Sequence, residues 1–326
     1  MTNPALTRTA SFRPERLQAR SDDEISRALL TTTSSRPSER LIGAILAACG
    51  LVSILTTVGI VFILFQEALK FFTDVSVTDF LFGTTWTALF KDGSFGVLPL
   101  VSATVAISLL SMVVAIPVGL LAAIYLSEYA PPKVRAVLKP VMELLAGIPT
   151  IVFGFFALTF ITPSILKPLL PQTEVYNILA ASIAVGIMVV PLVASLSEDA
   201  LSAVPRSLRE GAFGLGATKM EVSTQVVVPG ALSGIIASIV LAISRAFGET
   251  MIVALAAGSK AQIVDNVLEP GQTMTGFMVQ AFSGDVVAGG TVYHSLFAVG
   301  LLLFLVTLGL NLLSRAIIAR FREAYD

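Results

Sequence analysis

LIGAILAACGLVSILTTVGIVFILF, Leu41 to Phe65, runs for the thickness of a lipid bilayer without one charged residue. A hydrocarbon core of about 30 Å needs roughly 20 mostly apolar residues in a helix, so this stretch reads as a transmembrane helix. Composition agrees. Of 326 residues, 55% are apolar and only 13% charged, with a mean hydropathy of +0.86; a soluble domain carries about 25% charged residues. So few charges could not cover a water-facing surface. Outward from Leu41–Phe65, five more stretches have the length and apolarity to cross: Val97–Leu126, Val141–Ile161, Ile178–Leu196, Ala231–Ala257 and Ser295–Ile318. The expected fold is therefore an all-α membrane protein with six transmembrane helices, the membrane domain covering residues 41–322. Pro117, Pro149, Gly154 and Pro191 interrupt these stretches, which membrane helices tolerate where neighbours or water satisfy the freed backbone groups.

Basic residues set the orientation. Arg8, Arg13, Arg16, Arg20, Arg27, Arg36 and Arg40 precede the first span, and Lys133, Arg135 and Lys139 follow the second. Arg206, Arg209 and Lys219 follow the fourth, and Arg315, Arg320 and Arg322 close the chain. Six crossings put all of these on one side, against Lys70, Lys91, Lys167 and Lys260 on the other. Positive charge marks the cytoplasmic side, so both termini are expected there. Residues 1–40 are polar and lack the apolar core and cleavage site of a signal peptide; a disordered cytoplasmic tail is expected. Trp86 and the phenylalanines of Gln66–Phe95 read as an aromatic belt at the outer interface. Cys49 is the sole cysteine and His294 the sole histidine. That excludes an internal disulfide and a Cys- or His-rich metal site, and leaves no Ser-His-Asp triad. His294 reads as boundary polarity.

The loop between the fourth and fifth spans, residues 205–230, has an internal order. SLREGAFGLGATKMEVSTQVVVPGALSG, Ser207 to Gly234, follows Pro205, which can open a helical turn. Gly214 and Gly216 permit a tight bend, a second short helix follows through Gln225, and Pro229 begins the return to the membrane. Such a helix–glycine–helix element fits a groove on a cytoplasmic partner, and equally a connector lying on the headgroups. No stretch matches the phosphate-cradling G-x-x-x-x-G-K-[ST] loop, and GAFGLG has the wrong glycine spacing for a dinucleotide turn. An ATP-driven process would need another chain to hydrolyse the nucleotide.

Inside the membrane, ISRAFGETMIVALAAG (Ile243–Gly258) carries Arg245 and Glu249. On one continuous helix, residues four apart share a face. A charge at the bilayer centre costs about 2.5–3.5 kcal/mol on insertion scales, so the pair reads either as a self-neutralising salt bridge or as part of a substrate pathway. Arginine suits an oxyanion, because its planar fork donates two parallel hydrogen bonds and stays charged in a dry site. Glu249 can hold Arg245 when no anion is bound, or accept the proton-bearing hydroxyl of monobasic phosphate. Glu143 is expected at the cytoplasmic interface. Pro149 and Gly154 either shape a pathway wall or allow close helix packing.

The loop resembles the EAA loop of importer permeases of the ATP-binding-cassette class: Glu210, Gly211, Ala212, then Gly216, then Val226, Val228 and Pro229 stand at matching spacings. Gly211 replaces an alanine, and valines replace isoleucine and leucine. The RAFGET run around Arg245 and Glu249 is similar to the fifth span of PstC-type phosphate permeases. FGVLPLVSATVAISL (Phe95–Leu109), AGIPTIVFG (Ala146–Gly154), Trp86 with Leu89 and Phe90, and QTMTG (Gln272–Gly276) fit the same family. The resemblance covers about Leu41 to Phe321. It implies a type I importer permease fold with a cytoplasmic coupling helix, in which Glu210, Gly211, Ala212 and Gly216 meet an ATPase subunit. It also implies import of phosphate ion by alternating access past Arg245 and Glu249. The implied partners are a homologous PstA-like permease subunit, two PstB-like ATPase subunits, an external phosphate-binding protein and membrane lipid, with no nucleic acid. The chain itself is expected to be non-catalytic and without a cofactor or metal; ATP and Mg would be bound by the partner subunits. Permeation of another oxyanion, an ATPase-independent secondary transporter or channel, and a structural membrane scaffold are the alternatives.

Overall fold

A computed structural model describes residues 37–90, 93–284 and 286–321. The expected tail up to residue 36, and Lys91 and Arg322, lie outside the described residues. The chain forms two units that divide after Phe62. The first contains α1 (Pro37–Asp74) as far as that residue. There Leu46, Val52, Ile60 and Phe62 are all exposed, and a helix apolar on every side is one that lipid solvates.

The second unit is nearly all helical. α2 (Val77–Phe82) starts where the Ser76 hydroxyl accepts the Asp79 amide at 3.1 Å. α3 (Leu98–Tyr129) and α6 (Ile178–Ala203) form its centre. They approach closely because glycine sits at the crossings: a Cβ on Gly119 would meet Val193 at 2.8 Å, and one on Gly186 would meet Val114 at 2.8 Å. Small residues at such contacts let membrane helices gain dispersion energy from each other rather than from lipid. Around this pair lie α5 (Thr150–Leu169), α9 (Leu232–Phe247), α10 (Met251–Ala256), α11 (Met274–Ser283) and α12 (Thr291–Phe321). α4 (Pro132–Ala146), α7 (Arg206–Gly214) and α8 (Lys219–Gly230) complete the set. Among the described residues five helices are long and apolar enough to cross a membrane, or six if α8 and α9, bent by 69°, count as one span.

Two expected spans are redrawn. Val141–Ile161 is not one helix: α4 ends at Ala146, and the crossing helix is α5, from Thr150. Pro149 lacks an amide and disfavours helix in the residue before it, so Gly147–Pro149 forms the corner. α5 then widens into π-helical turns over Ala157–Leu166, around Pro163, where a missing donor disturbs the ordinary ladder. Ala231–Ala257 is also divided, into α9 and α10.

Trp86 is core rather than interface belt. It is 5% exposed, pairs with Phe95 in an isolated antiparallel bridge, and meets Phe277 of α11 edge-to-face at 4.8 Å. Phe71 and Phe80 join the same cluster. Gly154 serves packing: a Cβ there would meet the Ile252 backbone of α10 at 3.1 Å. His294 is not solitary, since its Nδ1 lies 3.0 Å from Glu67 Oε2.

Candidate functional site

α9 ends at Phe247, and the cause lies in the next two residues. Gly248 contributes no side chain to hold a helical turn, and Glu249 diverts the following amides. Its Oε1 accepts from Met251 N at 3.1 Å and Ile252 N at 3.2 Å, the first donors of α10. A side chain that satisfies those orphan amides replaces a turn of helix. The break is held from outside as well: Thr275 of α11 donates its hydroxyl to the Glu249 carbonyl at 2.7 Å. Glu249 is 8% exposed. Arg245 and Glu249 are thus separated by a helix break, and the shared face expected of a continuous helix does not exist. Nor do they form a salt bridge; among the described residues no carboxylate lies within 4 Å of the Arg245 guanidinium.

The two residues nevertheless open onto one cavity of about 690 Å³. Its walls are Met142, Glu143 and Ala146 of α4; Met188, Pro191, Leu192 and Ser195 of α6; and Leu241, Ser244, Arg245, Gly248 and Glu249. Arg245 Nε rests 3.4 Å from Met188 Sδ. Thioether sulfur is a weak acceptor, and the other guanidinium donors have no hydrogen-bond partner among the described residues. Ser244 donates to Asn311 of α12 at 3.4 Å. Such a chamber can receive an acceptor-rich anion at Arg245, with Glu143 and Glu249 available to take hydrogen bonds from any hydroxyl it carries. Glu143 therefore belongs to this cavity, although its sequence position alone pointed to the interface.

The loop residues lie apart from the cavity, on the side where the positive charge collects. Glu210 and Gly211 are exposed on α7, and Ala212 is half-buried against the apolar cluster of Ala123, Leu201, Val222 and Val227. Gly216 has φ +86°, a left-handed turn that glycine adopts without strain. Thr218 and Glu221 then form a capping box that begins α8.

Sequence reasoning missed the charge network at this end. Glu198 of α6, 1% exposed, accepts from Arg135 and from Lys139 of α4, the latter at 2.7 Å, and from Ser202 at 3.0 Å. Lys139 also meets Asp199 at 2.9 Å. Hydrogen bonding to Glu198, then to Asp199, raises the Lys139 pKa above its ordinary value. The available signal was acidic: SEDA, Ser197–Ala200, falls on the same side as the cations of the preceding loop.

Comparison with known proteins gives a consistent result. A family model described as "Binding-protein-dependent transport system inner membrane component" matches residues 115–323. A "Probable ABC transporter permease protein YqgH" of Bacillus subtilis is 32% identical over 304 residues, covering 92% of this chain and 98% of that one. A "Phosphate transport system permease protein PstC" of Haemophilus influenzae is 30% identical over 262 residues, 75% and 82% of the two chains. Among solved structures, a bacterial alginate ABC transporter, in complex with a periplasmic protein that holds an alginate pentasaccharide, superposes with a TM-score of 0.58. It is 16% identical and covers 86% of this chain and 98% of its own, which speaks to the fold alone.

Proposed function

Because the chain belongs to the family of binding-protein-dependent transport system inner membrane components, and is thus an ABC importer permease subunit, we propose that its solute is inorganic phosphate. The observation that carries this reading is Arg245: a permanently charged guanidinium in a membrane cavity, with no carboxylate partner among the described residues. Its planar fork matches a phosphate edge. Kinship to PstC phosphate permeases supports the same substrate. Phosphate enters from an external binding protein, meets Arg245, and presents its hydroxyl to Glu249 or Glu143. A homologous PstA-like permease closes the other side of the pathway. Two PstB-like ATPases bind ATP and Mg and act through the loop bearing Glu210, Gly211, Ala212 and Gly216. Both termini lie in the cytoplasm, on the side of the Arg- and Lys-rich loops, and residues 41–322 form the permease domain.

The test is phosphate uptake in cells carrying wild-type protein, Arg245→Gln or Glu249→Gln at matched membrane levels, with ATPase association assayed in parallel. A hydrogen bond to a charged group is worth about 1.5–3 kcal/mol, so Arg245→Gln is expected to lower uptake by roughly 10-fold or more while the complex still assembles. Glu249→Gln keeps a carbonyl oxygen for the amides of Met251 and Ile252, and so removes charge without undoing the break. Uptake that survives both changes would reject the pathway. Competition by sulfate then asks whether the chamber takes any oxyanion.

A further inference from the structure

The loop that meets an ATPase must pull on something, and the attachment of α7 to the spans is narrow. α7 buries no side chain completely; Leu208 and Phe213 are 41% and 48% exposed. Against that background Arg209 is distinctive. Its guanidinium donates to the Leu201 carbonyl at 2.7 Å and to the Val204 carbonyl, both at the C-terminal end of α6. It also donates to Glu128 Oε1 at 3.1 Å, at the end of α3. Arg209 and Glu128 are 16% and 10% exposed, so these charged bonds are largely shielded from water. Ser127 donates to the same Glu128 oxygen at 3.0 Å. One side chain thus caps the last carbonyls of one central helix and pairs with a carboxylate on the other.

α6 is the helix that carries Met188, Pro191, Leu192 and Ser195 into the cavity. From Leu201 back to Ser195 is about 9 Å along a helix that rises 1.5 Å per residue, and close-packed interiors transmit such displacements instead of absorbing them. Resting on the importer reading above, we propose that Arg209 is the positioning residue that converts movement of α7 into movement of α6, and so of the cavity wall. It touches neither solute nor nucleotide. Glu210, Gly211 and Gly216 face outward on the same loop, whereas Arg209 is the inward half of the device.

The experiment uses the complete importer in inside-out vesicles, with Cys49→Ser and Ser195→Cys placing one thiol on the cavity wall. Alkylation of that thiol by a membrane-impermeant maleimide is timed with and without vanadate trapping of the ATPase. In the parent, trapping is expected to change the rate by at least about fivefold, the lower end of typical coupling between sites. Arg209→Gln should reduce that change to less than about twofold, while vanadate-sensitive ATP hydrolysis and subunit composition stay as in the parent. Arg209→Lys, which keeps the charge but not the fork, should fall between. A full trapping response in Arg209→Gln would overturn the proposal. So would loss of the ATPase subunit from that variant, which would assign Arg209 to docking. Phosphate uptake by the wild-type importer, with Ser195 intact, is measured alongside in cells. Its absence with hydrolysis intact would reject the substrate, while the alkylation comparison would still judge Arg209.

Discussion

Glu198 holds two cations and a serine hydroxyl from a position 1% exposed. An isolated carboxylate so placed would be far more expensive than a paired one. Arg135 and Lys139 are about a third exposed and can return to water, so the cost of removing the anion falls below that of a fully buried pair. Glu198→Gln is expected to destabilise the purified chain by about 1–2 kcal/mol, read as a fall of about 1.5–3 °C in its thermal unfolding midpoint. An unchanged midpoint would mean that the network adds nothing. Its pH dependence follows from Lys139, whose pKa is raised by Glu198 and then Asp199. The stabilisation is complete below the unfolded lysine value and is lost only as pH rises through the higher folded one. Nothing in the physiological range should weaken it. At this scale the sequence was most informative about Arg245, because a charge amid apolar residues is conspicuous in one dimension. Glu143 and Glu198 were not legible, since their significance depends on which helix stands opposite.

The helices were legible as apolar runs, but their breaks were less so. Hydropathy averages over Gly147–Pro149 and Gly248–Thr250 and joins what the backbone separates; only the hydrogen bonds of Glu249 to Met251 and Ile252 reveal the second interruption. The two glycines of the α7 loop offer a test at this scale. Around Gly211 no atom lies within 4 Å of an added Cβ, and its backbone is helical. Gly211→Ala, the residue that the EAA pattern carries, should therefore strengthen α7 by about 0.5–1 kcal/mol. Amide exchange in α7 would slow by roughly 2–5-fold. Gly216→Ala should do the reverse, because φ +86° costs a side-chain-bearing residue about 1–2 kcal/mol. If both substitutions moved exchange in the same direction, the turn would not be set by Gly216.

For the molecule as a whole, the class of fold was open to reading from Leu41–Phe65 and five similar runs, because lipid demands long uninterrupted apolar helices. The segment around Trp86 was not, since aromatics in a loop look alike whether they float at an interface or close a core. Trp86 closes a core, ringed by Phe80, Phe95 and Phe277, and it is the sole tryptophan of the chain. The protein thus carries one native indole, dry and fixed in this aromatic cluster. In the purified chain its emission maximum should lie to the blue. As the temperature rises, emission should shift red before the helical circular dichroism signal falls, because a loop cluster opens at lower free energy than packed spans. Coincident transitions would show the aromatic cluster melting together with the bundle. The light from Trp86 is then an unlabelled optical gauge of one cluster in a membrane protein, with no second indole in the chain to blur it.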